Sequence, residues 1–136
     1  MAFHCLFEQS GTFKNEFKKL GYDAYDYDIL DDFHETDFKI DLFDEIKRAY
    51  RHESSIFDKM NPQTDQVLAF FPCIRFEDQI QMAFRGTQHQ QAKWTLEQKL
   101  EYDLKLHEEL HELYELVTML AIICVRGGLP LIIENP

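Results

Sequence analysis

Short apolar runs alternate with segments of helical periodicity along this chain. The first run, Ala2–Phe7, ends in a polar turn at Glu8–Thr12. Phe13, Phe17 and Leu20 then recur at helical spacing, and Gly21 follows as a C-terminal stop. This pattern predicts a strand, a tight turn and a helix.

The next segment predicts two more strands and a second helix. Ala24–Ile29 alternates apolar and acidic residues and contains β-prone tyrosines, and Phe38–Phe43 is a second short run. Leu42, Ile46 and Ala49 then recur at helical spacing.

Two later runs read as buried strands. Asp65–Phe71 is the most strand-like segment of the chain, and Pro72 ends it, so Cys73 is expected at the carboxyl end of a strand. Leu129–Ile133 is the last such run.

A long helix is predicted between these two strands. Thr95 and Gln98 have the spacing of a capping box, and Gly127-Gly128 supplies the stop. The expected apolar stripe of this helix consists of Leu96, Leu100, Leu104, Leu110, Leu113, Val117, Leu120 and Cys124.

Strands that alternate with helices predict an α/β fold built from right-handed βαβ units. We expect residues 1–136 to form a single domain with about five mostly parallel strands and helices on both faces. The first and fourth strands should be adjacent at the centre of the sheet. Ligands bind such sheets beyond the carboxyl ends of the strands.

Composition narrows the function classes. The 136 residues include 25 acidic and 14 basic side chains, for a formal charge of −11, which disfavours non-specific binding to nucleic acids.

Three cysteines without CxxC spacing, and no secretory signal, indicate a reducing cytoplasmic compartment. No apolar run is long enough for a membrane span. An exposed sheet edge leaves room for a homo-oligomer.

Two features at the predicted strand ends suit a nucleoside ligand. Ser10, Gly11 and Thr12 precede a helix, where free amides and the helix dipole favour an anionic group. Asp28 follows this turn at about the distance at which dinucleotide sites keep an acid for ribose hydroxyls. The alternative is that Asp28 belongs to a solvated acidic loop.

Cys73 and Glu134 are the candidate catalytic residues. A thiol at a strand end is accessible to a cleft, and a nearby cation such as Arg75 would hold it as thiolate. Glu134 follows the last strand and is expected at the same edge, where burial would keep its carboxyl partly protonated. The alternatives are a buried structural cysteine and an ordinary loop acid.

A third motif competes with this reading. His107-Glu108-Glu109-Leu110-His111 matches the HExxH pattern of zinc hydrolases, but no clear third ligand stands out beyond Glu115. We therefore expect a solvated helix face, without zinc, at these residues.

Several segments, taken in chain order, resemble the motif series of S-adenosylmethionine-dependent cytosine-5 DNA methyltransferases. The chain looks most like the methylase-like proteins of bacterial phages and prophages. The segments are Leu6–Phe13, Tyr27–Ile29, Ile40–Leu42, Asp65–Phe76 and Ile133–Asn135.

The resemblance implies a Rossmann-like SAM-dependent methyltransferase fold and a role for each matching residue. Cys73 would attack C6 of a flipped cytosine in DNA, and Glu134 would hold N3 and the exocyclic amine. Asp28 would bind the ribose of S-adenosylmethionine, and Asp41 an adenine amino group, unless Asp41 only caps the next helix. The other cofactor residues are Phe7, Glu8, Gln9, Ser10, Gly11, Thr12, Ile29, Leu42 and Pro72.

The family's target-recognition region is not found before Pro136. We therefore expect the 136-residue chain to be inactive on duplex DNA by itself, with cytosine-5 methylation as the activity of a full-length form. The alternative is a non-enzymatic domain of the same fold that binds SAM or a protein partner.

Overall fold

The computed structural model describes residues 1–71 and 93–134. The strands within these ranges are β1 (Ala2–Leu6), β2 (Asp23–Asp28), β3 (Phe38–Lys39), β4 (Gln66–Ala69) and β5 (Leu131–Ile133). The α-helices are α1 (Thr12–Lys19), α2 (Leu42–Tyr50) and α3 (Leu96–Gly127), and a 3-10 helix spans Ile56–Lys59.

The strands form one sheet in the order β3-β2-β1-β4-β5, and every pair is parallel. The predicted α/β class with five parallel strands is confirmed. The first and fourth strands are neighbours at the centre, as expected, because β1 pairs with β2 on one side and with β4 on the other. Connections therefore leave the centre of the sheet in two directions.

Each face of the sheet has its own apolar cluster. On one face, Leu6 and Val67 lie in a cluster with Ile46 of α2 and with Leu116 and Leu120 of α3. On the other face, Phe3 stacks on Phe17 of α1, with ring centroids 3.9 Å apart, and Ala24 and Leu68 complete the smaller cluster. Helices thus cover both faces, as predicted.

Local capping explains where two of the helices begin. The Asp41 carboxylate accepts hydrogen bonds from the amides of Phe43 and Asp44, at 3.0 and 3.3 Å, and so caps α2. At the start of α3, the amide of Thr95 donates to Gln98 Oε1 and the amide of Gln98 donates to Thr95 Oγ1. The capping box predicted for this helix is therefore present.

The predicted stripe of α3 is wrong in its first half. Leu96 and Leu104 are 69% and 65% exposed, and Leu106 is buried instead. Each step of four residues advances by more than a full turn of 3.6 residues, so the run from Leu96 through Leu100 to Leu104 drifts around the helix. The buried residues of α3 are Leu106, Leu113, Leu116, Leu120, Ile123 and Cys124.

The chain divides into two compact units. The first comprises 1–71 and 116–135 and contains the whole sheet, and the second comprises mainly residues 72–115, of which 93–115 are described. In the second unit, Trp94 and Tyr102 are in ring contact at 5.2 Å.

Among the described residues, no helix has both the length and the apolar character that a membrane span requires.

Truncation of Leu120 tests the packing of α3 on the sheet. Leu120 is fully buried in the larger cluster, so we expect Leu120→Ala to lower the free energy of unfolding by about 2–5 kcal/mol. The control is Val125→Ala, because Val125 is 82% exposed on the same helix and should change stability by less than about 0.5 kcal/mol. Urea denaturation measures both, and equal losses in the two variants would contradict this packing.

Candidate functional site

The carboxyl edge of β1 is the place where the sheet offers a ligand crevice. The chain leaves β1 toward β2 on one side, and β4 lies on its other side. In open parallel sheets, the loops on either side of such a point diverge and leave a gap above the strands. The turn of residues 7–12 begins at this edge and leads into α1.

This turn is held by its own polar groups. The amide of Phe7 donates to the carbonyl of Tyr27 at 2.9 Å, with Phe7 in the left-handed region at φ 60°. The carboxylate of Glu8 accepts from the amide and the hydroxyl of Ser10, and the Ser10 hydroxyl lies 2.7 Å from Thr12 Oγ1. The Glu8 and Ser10 side chains are thus committed to the shape of the turn.

Gly11 is required for both conformation and space. Its φ is +73°, and a Cβ at this position would lie 2.8 Å from the side-chain nitrogen of Asn15 and from a carboxylate oxygen of Glu35. Its amide donates to Asp26 Oδ2 at 2.8 Å. Any larger residue would force this turn apart.

Asp26 is the acid that organises the turn, and the sequence reading missed it. It is fully buried, and its Oδ1 has no hydrogen-bond partner among residues 1–71 and 93–134. Burial raises the pKa of Asp26 to about 6, although the Gly11 amide and the charge of Lys14 act in the opposite direction. The available signal was the period-two pattern of β2, in which Asp26 shares a face with buried Ala24.

Lys14 ties the loop after β2 to α1. It is only 3% exposed, and its ammonium group lies 3.1 Å from the Glu35 carboxylate and 3.3 Å from that of Asp37. Burial alone would lower the pKa of Lys14, but the hydrogen bond to Glu35 and the charge of Asp37 raise it. The same loop also contacts the turn where the amide of Asp32 donates to Gln9 Oε1.

Asp28 and Ile29 lie at the carboxyl end of β2, next to this turn. Asp28 is half-buried, and its Oδ1 accepts from the amide of Leu30 at 2.9 Å. Ile29 is 58% exposed. Their contacts with a ribose and an adenine remain predictions.

Asp41 and Leu42 are occupied by the fold. Asp41 caps α2, which is the alternative considered for it, and Leu42 lies in the larger cluster with 3% exposure. Ile29 and Leu30 are exposed apolar side chains just after β2. The adenine contacts assigned to Asp41 and Leu42 by resemblance remain predictions.

The end of β4 meets the turn after β1. The Phe7 and Phe71 rings are 4.7 Å apart, and the amide of Phe70 donates to the carbonyl of Leu6 at 2.9 Å. Glu134 lies on the other side of β4, where its amide donates to the carbonyl of Ala69 at 2.9 Å. Its side chain is exposed, so the burial expected for this carboxyl is wrong: β5 ends at Ile133 and Glu134 follows the strand. The strand ends that carry the predicted motifs therefore lie side by side. Pro72 and Cys73 lie outside the described residues.

The HExxH residues of α3 form a different arrangement. His107 and His111 are exposed, and each lies near a carboxylate of its own helix, 3.4 Å from Asp103 and 3.1 Å from Glu115. In the described parts of the chain, no group of three or more His, Cys, Asp or Glu residues could hold a metal ion. The absence of zinc from this pair stays a prediction.

Comparison of the chain with family models, curated proteins and solved structures gives no match. The residues and their geometry are therefore the basis for a proposed function.

The buried carboxyl of Asp26 should make stability depend on pH. Its pKa is 3.8 in the unfolded chain and about 6 in the fold, so the native state binds more protons between these values and the free energy of unfolding falls as pH rises through them. Asp26→Asn keeps an acceptor for the Gly11 amide and removes the buried charge. We expect this variant to be more stable than the parent by about 1–3 kcal/mol near pH 7, with no difference near pH 4.

Urea denaturation across this pH range measures the effect. Asp23→Asn is the control, since Asp23 is exposed at the other end of β2, and it should follow the parent curve. Parallel curves for Asp26→Asn and the parent would contradict the assignment.

Proposed function

We propose that the chain is a SAM-binding, Rossmann-like domain related to cytosine-5 DNA methyltransferases. The observation that supports this proposal is the meeting of three motif segments at one edge of the sheet. The turn after β1, the chain that leads from β4 into Pro72-Cys73, and Glu134 after β5 follow adjacent parallel strands. The methyl donor and the reacting base would meet between the loops that follow the paired strands β1 and β4.

The chemistry of the edge suits a positively charged cofactor. S-adenosylmethionine supplies an electrophilic methyl group and carries a sulfonium and an ammonium group. Glu8 already accepts from Ser10, and Glu35 pairs with Lys14. Asp28, half-buried beside the turn, accepts from the amide of Leu30 through Oδ1 and is the acid considered for the cofactor. Asp28 would accept hydrogen bonds from ribose hydroxyls, and exposed Ile29 would cover one face of the adenine. The amides of Ser10, Gly11 and Thr12 donate to Glu8, Asp26 and Ser10, so the free amides expected at this turn are engaged by the protein itself.

Cys73 and Glu134 would act on different atoms of the cytosine base. The Cys73 thiolate would form a bond to C6 of cytosine while the Glu134 carboxyl gives a proton to N3, so that C5 becomes nucleophilic and takes the methyl group. The N3 proton then returns to Glu134, solvent water takes the C5 proton, and the electrons of that C–H bond expel the Cys73 thiolate from C6, which restores the aromatic ring. The exposed side chain of Glu134 is accessible to such a base.

Cofactor binding is the first test. We expect SAM and its demethylated product to raise the melting temperature, because a ligand that binds only the native state stabilises it. Asp28→Ala should remove this shift. Asp23→Ala is the matched control at the amino end of the same strand and should retain it. The proposal is overturned if millimolar SAM leaves the melting temperature of the parent unchanged.

Duplex DNA is expected to remain unmethylated by the 136-residue chain. Its net charge of −11 repels the phosphate backbone, and extrusion of a base costs a few kcal/mol that few contacts offset. Transfer from radiolabelled SAM to mixed-sequence DNA measures this. Incorporation that Cys73→Ser abolishes would contradict the expected inactivity and support the catalytic assignment.

The base chemistry is tested separately with a single-stranded oligonucleotide that contains 5-fluorocytosine, at high salt. The single strand removes the need to open a duplex, and the salt screens charge repulsion. Fluorine at C5 blocks the final elimination, so Cys73 should remain bonded to the base in the presence of SAM. Intact mass spectrometry detects this adduct, and Cys73→Ser should not form it. SAM binding without any adduct would favour the non-enzymatic alternative.

A further inference from the structure

A second cavity, of about 390 Å³, lies on the opposite face of the sheet from α1. Its walls come from β1, β2, β3, α2 and the 3-10 segment, and they include His4, Tyr25, Tyr27, Phe38 and Lys59. This volume falls in the range of small-molecule sites. None of these residues takes part in the proposed cofactor or base site.

One wall of the cavity is a continuous aromatic surface. The Tyr27 and Phe38 rings stack at 4.7 Å with 17° between their planes, and Tyr25 meets Phe38 edge-on at 5.9 Å. His4 stacks on Tyr25 at 5.8 Å. Such a wall gives a planar aromatic ligand ring faces and edges to pack against.

A buried polar relay stands behind this wall. His4 Nε2 lies 2.8 Å from Asp65 Oδ2, and His4 Nδ1 lies 2.7 Å from the Tyr27 hydroxyl. All three residues are buried, with 5–9% of each exposed. Burial alone would raise the pKa of Asp65, but hydrogen bonds from His4, Asn61 and Thr64 lower it, so Asp65 is an acceptor.

The negative charge of Asp65 makes it the acceptor in its hydrogen bond with His4. His4 donates from Nε2 to Asp65; in the tautomer that leaves Nδ1 without a proton, Nδ1 accepts and the Tyr27 hydroxyl donates its hydrogen to His4. Burial raises the pKa of Tyr27, which keeps this hydrogen in place. The Tyr27 oxygen then retains an acceptor site, which a ligand with a hydrogen-bond donor would satisfy.

The rim of the cavity supplies a positive charge. Arg48 is engaged by Asp44 and Glu45, and Glu45 also accepts from the amide of Ile56. Lys59 is exposed and makes no ion pair within the described residues. An anionic ligand group at the rim would therefore find an available ammonium group.

We propose that this cavity binds a small hydroxylated aromatic carboxylic acid. The ring packs against Tyr25 and Phe38, the phenolic hydroxyl donates to the Tyr27 oxygen, and the carboxylate pairs with Lys59. The site does not depend on the proposed methyltransferase function. In the relay, His4 joins Tyr27 to Asp65, and Asp65 is the residue before β4.

The test uses the 136-residue chain and three probes that differ in one feature each. Isothermal titration calorimetry should show the tightest binding for 4-hydroxybenzoate, weaker binding for benzoate, which lacks the hydroxyl, and none for cyclohexanecarboxylate, which lacks the aromatic ring. Lys59→Gln should weaken the binding of 4-hydroxybenzoate about fivefold. The control is Lys18→Gln, an exposed lysine of α1, which should bind as the parent does.

A second variant separates the relay from the aromatic wall. Tyr27→Phe keeps the ring and removes the acceptor oxygen, so 4-hydroxybenzoate and benzoate should bind it equally, with circular dichroism as the check on folding. Three results would each overturn the proposal: no binding of 4-hydroxybenzoate at millimolar concentration, equal binding of cyclohexanecarboxylate, or unchanged affinity in Lys59→Gln. The lysine variant keeps the proposal testable if Tyr27→Phe does not fold, because Lys59 is exposed.

Discussion

The parallel pairing of β1 on both of its edges is the constraint on which the rest of the structure depends. A strand paired with β2 on one side and β4 on the other has no free edge, and each connection must cross over the sheet. α1 therefore lies on one face, with α2 and the last part of α3 on the other. The same arrangement separates the loops at the carboxyl end of β1, which is where open parallel sheets bind their ligands.

Buried polar groups secure this centre on both faces. On the face of α1, the Gly11 amide meets the carboxylate of Asp26. On the other face, His4 joins Tyr27 to Asp65. Each of these groups occupies a position that an apolar residue would fill at lower desolvation cost. The first arrangement shapes the turn after β1, and the second supports the aromatic wall of the cavity.

At the candidate site, some residues are positioned by backbone pairing and others serve the fold with their side chains. Backbone pairing holds the turn after β1 beside β4, and Glu134 extends the ladder on the far side of β4. Asp41 and Leu42, by contrast, serve the cap and core of α2. Accessible positions at this edge include residues after the strands, such as Ile29 and Glu134, whereas β1 and β4 are mostly buried.

The sequence by itself determined the five strands, the two short helices and the capping box of α3, because apolar periodicity and capping are properties of neighbouring residues. It also located the turn around Gly11 and the acid after β5. Only the tertiary structure decided that Asp26 holds the Gly11 amide from 15 residues away, and that Asp65 holds His4 from 61 residues away. It also decided which leucines of α3 are buried, since a stripe becomes a core only where another surface covers it. Local patterns carry no record of such distant partners, because the partners meet only when the crossovers bring their strands together.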